Sequence, residues 1–247
     1  MMTAREILRV DNVTMTFGGL RALSNVSMAV NQGEVVGLIG PNGAGKSTLF
    51  EVISGNMRPT AGRVSLFGQD VTNVTADRRR RAGMSRTFQK VRLFESLTTQ
   101  ENIAIAAMQC ARAGDDWRAE VEAVLERLKL SNLAQAYPAE LTLADRKKIE
   151  IGRAIVGRCQ LLLLDEALSG LTMDEANELV GVVLSLNTEL GVTIVVVEHV
   201  LPVLVSMAQR LVVLNFGEVI ADGVPREVAS DPKVMTAYLG SKRGAFA

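Results

Sequence analysis

The apolar pattern of the chain changes character twice. It begins with short β-rich runs, Leu8–Phe17 and Val26–Val30. Glu34–Ile39 follows, short, apolar and closed by Gly40-Pro41 in the manner of a buried strand. After a glycine-rich turn, Lys46–Ser54 reads as a helix, Arg63–Phe67 as a strand closed by Gly68, and Ser85–Phe88 as a short strand behind a basic run. From Thr99 to Gly157 β-branched runs become scarce and Ala, Glu, Arg and Leu dominate. That predicts three helices, Thr99–Ala113, Asp116–Leu130 and Thr142–Val156, with Pro138 in the break before the last. Beyond them strand and helix patterns alternate again: strand Leu161–Leu164, helix Met173–Leu190, strand Val192–Val197 and helix Val200–Met207. A hairpin, Arg210–Asn215 with Glu218–Ala221, turns at Phe216-Gly217, and a Pro-started helix at Arg226 and another started by Asp231-Pro232 close the chain. No internal repeat is visible. The pattern predicts an α/β lobe over about 6–90 and 158–240, a helical insert over about 91–157 and a tail at 241–247.

Composition narrows the function classes. The 247 residues carry 27 Lys+Arg against 27 Asp+Glu, a net charge of zero, where a general nucleic-acid binder would show a basic excess. The chain is 48% hydrophobic and 22% charged, which excludes bulk disorder. Its mean hydropathy is slightly positive, yet the most apolar stretch, Thr193–Val205, is interrupted by Glu198, His199 and Pro202, so no membrane span is expected. The first ten residues lack the apolar run of a signal peptide. Cys110 and Cys159 have neither metal-ligand spacing nor the number for a disulfide framework, so a reducing compartment is expected.

The chemistry is concentrated in a few segments. Gly40-Pro41-Asn42-Gly43-Ala44-Gly45-Lys46-Ser47, followed by Thr48, matches the phosphate-loop pattern between a predicted strand and a predicted helix. Glycines let successive N–H groups curl around phosphate oxygens, and the helix N-terminus adds partial positive charge. Lys46 is placed to reach the β- and γ-phosphates of a nucleotide, and Ser47 to supply a hydroxyl to magnesium. The dinucleotide alternative fails, because Thr48 stands where its third glycine belongs.

Leu161–Leu164 runs into Asp165-Glu166. A buried strand tolerates a carboxylate at its tip only if something pairs with it. In a phosphate-loop protein that partner is hydrated magnesium, bound by Asp165, with Glu166 where a base or water-orienting group is needed. His199, the only histidine, follows the last apolar strand and is a candidate γ-phosphate contact. Gln89 ends the strand Ser85–Phe88 where the helical insert begins.

Taken together these residues resemble the ATP-binding cassette (ABC) ATPases, in the family's order and from about Ile7 to Gly240. The resemblance implies a RecA-like phosphate-loop core with an antiparallel β subdomain and an inserted helical subdomain. Phe17 is similar to the aromatic residue that stacks on adenine, Gln89 in Arg86-Thr-Phe-Gln89 to the Q-loop, and Asp165-Glu166 to the Walker B pair. His199 is similar to the switch histidine, and Leu141–Asp145 occupies the signature position. The family implies ATP and magnesium, the metal held by Ser47, Gln89 and Asp165, and hydrolysis served by Glu166, His199, Gln89 and Lys46. Phe17-Gly-Gly-Leu-Arg-Ala-Leu23, Arg86–Phe94 and the tail Asp231–Gly240 resemble importer subunits for branched-chain and other small amino acids or amides. That implies a second cassette, membrane permease subunits, an indirect periplasmic or extracellular binding protein, and a place on the cytoplasmic face of the membrane, with no nucleic acid.

Some positions depart from the family. The signature reads Leu141-Thr142-Leu143-Ala144-Asp145, with both usual glycines absent. Thr142 keeps the hydroxyl, Ala144 disfavours positive φ, and Asp145 brings negative charge toward a phosphate. Thr142-x-x-Asp145 is also a capping box, in which Asp145 would bond the Thr142 N–H and Lys147 and Lys148 would offset its charge. Ala167 replaces the proline usual after the Asp-Glu pair, and Thr172 stands where Asp is commoner. Arg78–Arg81 is expected to be a solvated helix face, since nothing aromatic interleaves with it. The expected function is the ATPase motor of an importer. The altered signature keeps a rival open, a nucleotide-sensing dimer with little turnover. A soluble cassette protein acting on ribosomes or DNA fits less well with a single compact cassette of zero net charge.

Overall fold

The computed structural model describes residues 5–88, 91–112, 114–198 and 201–241. The chain packs into two compact units, Met1–Arg79 with Thr193–Ala247, and Arg80–Val192.

The first unit contains two sheets. Strands β1 (Glu6–Phe17) and β2 (Leu20–Asn31) form an antiparallel hairpin, and β4 (Ala61–Leu66) and β5 (Gln69–Asp70) extend it in the order β2-β1-β4-β5. The other sheet is built on β3 (Val35–Ile39), which runs parallel to β8 (Thr193–Val197) on one side and β9 (Arg210–Asn215) on the other. Strand β10 (Glu218–Gly223) returns antiparallel to β9. Every residue of β3 and β8 is buried, which explains why both read as apolar runs without alternation. Helix α1 (Lys46–Ser54) leaves β3 through the glycine-rich turn, and its C-cap Gly55, at φ 82°, returns its N–H to Glu51 and Val52. Helices α7 (Leu201–Met207), α8 (Pro225–Ser230) and α9 (Pro232–Ser241) complete the unit.

The second unit pairs β6 (Met84–Arg86) in parallel with β7 (Leu161–Asp165), whose five residues are all buried. Its helices are α3 (Thr99–Cys110), α4 (Trp117–Arg127), α5 (Leu143–Ile155) and α6 (Met173–Leu190). Leu128, Ile103 and Gly152 meet where α3 and α5 pack, so closely that a Cβ on Gly152 would lie 2.8 Å from a Leu128 methyl. Fully buried aliphatic side chains such as Ile103, Leu128 and Ile149 each contribute about 1.5–3 kcal/mol of burial free energy.

Most expected elements are present, with informative differences. Helix Met173–Leu190 and strand Arg210–Asn215 agree residue for residue. Val26–Val30 proves to be the second half of a twelve-residue strand. Its first half was hidden because Arg21, Ser24 and Asn25 have weak strand propensity, which pairing with β1 overrides. Pro138 does more than interrupt, since it opens a 3-10 turn at Pro138–Glu140. Thr172 is the N-cap of α6 and forms a complete capping box with Glu175, a structural use for the residue that departs from the family's Asp.

The solvated-face expectation for Arg78–Arg81 holds for Arg78 and Arg81, which are exposed, and is corrected for Arg79 and Arg80. These residues lie in the short helix α2 (Ala76–Arg81), and Arg79 is only 1% exposed. Its guanidinium donates to the carbonyls of Val52, Ile53, Val71 and Val74. Arg80 is half-buried and donates to the carbonyls of Arg153, Ala154 and Val156. Charge runs in sequence look alike whether a guanidinium meets water or carbonyls.

Candidate functional site

The phosphate loop is assembled from the backbone. Gly40 has φ 151°, and a Cβ there would lie 2.1 Å from the Leu214 carbonyl oxygen. Gly45, at φ 104°, is the N-cap of α1 and brings no side-chain cap to the helix N–H groups. A helix that opens this way offers its first-turn donors and its partial positive charge to an anion. Lys46 is 6% exposed and donates from Nζ to Gly40 O at 2.6 Å and Pro41 O at 3.1 Å, so its ammonium lies over the loop. The β9–β10 turn supports the loop from behind: Gly217 N–H donates to Ala44 O at 3.0 Å, and Ser24 N–H to Gly217 O at 2.8 Å. Ser47 is exposed in the first turn of α1, with Thr48 half-buried beside it. Phe17, at the end of β1, is 42% exposed.

Sequence reasoning missed the tail as a neighbour of this loop. A cavity of about 770 Å³ is lined by Pro41–Ala44, by Phe216 and by Lys233 and Thr236 of α9. Burial pushes the Tyr238 phenol of α9 up, against a hydrogen bond from the Gly40 backbone. No spacing rule links residues 40 and 238.

The carboxylates belong to the second unit. Asp165 ends β7 and is 5% exposed. Arg86 is a charge partner for it, Nη2 to Oδ2 at 2.8 Å, with both side chains buried. Thr87 Oγ1 accepts from the Asp165 N–H at 3.3 Å. Glu166 has φ 50°, an uncommon conformation for a side chain of its type and one found at sites where the surroundings enforce it. Ala167, at the position of the usual proline, has its carbonyl held by Lys147 Nζ at 2.7 Å. Lys147 therefore braces the segment after the acids.

The signature-position segment forms a helix start. Thr142 is the N-cap of α5, its hydroxyl oxygen accepting from the Asp145 N–H at 3.1 Å. The expected reciprocal bond from the Thr142 N–H is replaced: the Thr142 hydroxyl itself donates to Asp145 Oδ2 at 2.7 Å. Ala144 lies inside the helix and is not among the positive-φ residues, so the loss of glycine strains nothing there. Lys148 Nζ sits 3.6 Å from Asp145 and 2.9 Å from Glu178. Leu141 is buried and Leu143 is exposed.

Glu150, one turn further along α5, was not singled out in the sequence. Burial pushes its carboxyl up to about 7, against a hydrogen bond from the Phe88 N–H at 3.1 Å and the charges of Arg153, Lys147 and Arg92. It lines a groove of about 420 Å³ with Arg86, Arg92, Arg153, Phe88 and Phe94. Gln89 and His199 lie outside the described residues.

The residues present fit a magnesium nucleotide. Gly40 and Gly45 shape a cradle that a Cβ would fill, and a lysine and an uncapped helix start face it. Hydroxyl and carboxylate oxygens are donors suited to magnesium, which keeps waters and substrate oxygens as its other ligands. No group of three His, Cys, Asp or Glu that could hold a metal alone occurs among the described residues. Among the same residues no helix is long and apolar enough to cross a membrane.

Comparison with known proteins agrees. A family model described as ABC transporter matches residues 23–169, and one described as branched-chain amino acid ATP-binding cassette transporter matches residues 218–243. The chain is 34% identical to the high-affinity branched-chain amino acid transport ATP-binding protein BraF of Pseudomonas aeruginosa, over 96% of this chain and 99% of that one. The ADP form of MJ1267, an ATP-binding cassette of an ABC transporter, superposes with a TM-score of 0.86 at 34% identity, covering 95% of this chain and 99% of the other. A dimeric post-hydrolysis state of the cassette MJ0796 with ADP and Pi superposes at 0.78 with 26% identity, over 89% and 99%.

Proposed function

The chain belongs to the ABC transporter ATP-binding family and is an ATPase, and we propose that it is the motor subunit of an importer for branched-chain or related small amino acids or amides. The observation that carries the proposal is the phosphate loop, with Gly40 and Gly45 in conformations that aim backbone donors, and Lys46 above them. In this reading Gly40–Thr48 hold the phosphates and Phe17 stacks on the adenine. Ser47, Gln89 and Asp165 would hold magnesium, which when bound neutralises charge on the transferring phosphoryl group. Glu166 orients the attacking water, His199 contacts the γ-phosphate, and Lys46 stabilises the charge that develops.

Leu141–Asp145 would meet the ATP of a second cassette, through the Thr142 hydroxyl and the N-terminus of α5. ATP closes this head-to-tail dimer and hydrolysis reopens it, driving permease subunits whose partner outside is a substrate-binding protein. The groove lined by Phe88 and Phe94, with Arg86, Arg92, Arg153 and Glu150 on its walls, takes a coupling helix from the permease and holds the chain on the cytoplasmic face. Support for the substrate class comes from the relatives' names and the match at residues 218–243.

Glu166→Gln tests the motor reading against the sensor one. Magnesium-ATP binding should persist while turnover falls by about 10²-fold or more, since base and positioning roles contribute on that order. An ATP-bound dimer should accumulate by size-exclusion chromatography. Turnover at the wild-type rate removes Glu166 from the mechanism, and negligible wild-type turnover, with permease present, favours the sensor.

A further inference from the structure

We propose that Arg79 and Arg80 are positioning residues for the ATPase reaction, Arg79 setting the phosphate-loop helix α1 and Arg80 setting the helix α5 that begins at Thr142. The Arg80 arm rests on the reading of Leu141–Asp145 as an ATP-contacting segment. Each arginine grips the far end of a helix whose near end does the chemistry.

Helix α1 has nine residues, a rod of about 14 Å whose C-terminal tilt moves its N-terminus. Arg79 Nη1 donates to Val52 O at 2.9 Å and Ile53 O at 2.7 Å in the last turn of that rod. Nη2 donates to Val71 O at 2.6 Å and Nε to Val74 O at 2.9 Å, so one guanidinium ties the helix end to the chain entering α2. All these acceptors are carbonyls. Burial pulls the Arg79 pKa down to about 10, with the charge of Asp70 opposing the shift, so the group stays cationic at neutral pH. A cation at the C-terminus of α1 complements the negative end of its dipole.

Arg80 repeats the device on α5. Nη2 donates to Arg153 O at 2.9 Å and Val156 O at 3.1 Å, Nη1 to Ala154 O, and Nη1 also bonds the Ser85 hydroxyl. These carbonyls end the helix whose first turn is capped by Thr142 and whose Lys147 holds the Ala167 carbonyl after the acids. The chain passes from the first unit to the second between these two residues, inside α2. Consecutive helical residues leave the axis about 100° apart, so the two guanidiniums point to different places. Arg78 and Arg81, on either side, are exposed. Lysine cannot substitute in either grip: its three donors sit on one atom, whereas the fork spans acceptors on separate segments.

The test uses the full chain with Arg79→Lys, Arg80→Lys and, as controls, Arg78→Lys and Arg81→Lys. Nucleotide affinity is read by calorimetry with ADP, turnover at saturating magnesium-ATP, and stability by thermal melting. Arg79→Lys should weaken ADP about fivefold or more with kcat changed less than about twofold, because the fork is lost while charge remains. Arg80→Lys should keep ADP affinity within about twofold and lower kcat about fivefold or more. If Arg79→Lys does not fold, Arg79→Gln serves in its place with the same expected split. Loss of affinity and kcat in the same proportion in both variants, tracking a fall in melting temperature, would reduce the pair to general stability and overturn the proposal. Wild-type values in both would do the same. Thr142→Arg separates the two readings. If that variant turns over normally, the signature reading fails and takes the Arg80 arm with it. If Thr142→Arg collapses turnover while Arg80→Lys does not lower it, the positioning assignment alone is wrong.

Discussion

The phosphate loop and the carboxylate segment are made of different materials. Around Gly40–Thr48 the working groups are backbone N–H donors, held by glycine conformations and by backbone bonds such as Gly217 N–H to Ala44 O. Around Asp165–Ala167 they are side chains held by other side chains, Arg86 on Asp165 and Lys147 on the Ala167 carbonyl. A backbone site constrains residue type at each of its own positions, because a Cβ at Gly40 would lie 2.1 Å from a carbonyl oxygen. A side-chain site constrains only that some suitable group arrive from somewhere. Of the departures from the family pattern, Ala167 falls in the second region, whereas in the first the loop pattern is intact.

The largest expected effect tests the backbone half at the side chain that lies over it, Lys46. Lys46→Ala removes a charge-assisted contact to phosphate in a partly dry site, worth about 1.5–3 kcal/mol, or about 10- to 100-fold in magnesium-ATP affinity. The fold should persist, because Gly40–Gly45 keep their own bonds. Unchanged affinity by calorimetry would break the comparison at its root, since the loop would not be the phosphate site.

A smaller effect is expected from Thr142→Arg. The bulky cation at the start of α5 should leave nucleotide binding to the isolated chain unchanged, and lower turnover and ATP-driven dimerisation about tenfold or more by blocking approach of the partner's phosphate. Glycine and glutamine at positions 144 and 145 should leave turnover equal or higher, because Ala144 is unstrained and removal of the Asp145 charge favours a nearby phosphate. Normal turnover in Thr142→Arg would mean that this segment faces no nucleotide.

The same contrast decides what was legible in the sequence. Gly40–Ser47 could be read because its physics is local: strand, glycines and helix are contiguous. Helix α6 could be read for the same reason, with a cap at Thr172 and a long apolar period. Arg86 on Asp165 joins positions 79 residues apart, and nothing in either segment announces the other. Arg79 was misread because its acceptors, the carbonyls of Val52 and Ile53, carry no side-chain signature. Glu150 lies on a helix rich in charge, where nothing in the sequence shows that Lys147, Lys148 and Glu150 are the buried ones.

Glu150 also provides the smallest prediction, and the one that most sharpens the contrast, since a half built from side chains should respond to pH where a backbone cradle does not. Burial pushes its carboxyl up to about 7 in the folded chain, from the ordinary carboxyl value of about 4.5. Between those values the folded state keeps a proton that the unfolded state has lost. Stability from this group is therefore complete below about 4.5, falls as pH rises toward 7, and levels off above. Gln cannot ionise, yet its amide oxygen can still accept from the Phe88 N–H. Glu150→Gln should match the wild type at pH 4.5 and be more stable at pH 8 by about 1–2 kcal/mol, a discount on the full shift because the carboxyl borders an open groove where water screens the anion. Thermal melting of both proteins across that range is the measurement, with ADP affinity followed in parallel. ADP affinity should not separate the two proteins at any pH, because the loop that holds phosphate contains no group titrating with Glu150. Equal melting temperatures at pH 8 would show that the folded chain stabilises the Glu150 anion fully. An ADP affinity that followed the Glu150 titration would show that the two halves share their electrostatics, and the division by material would fail.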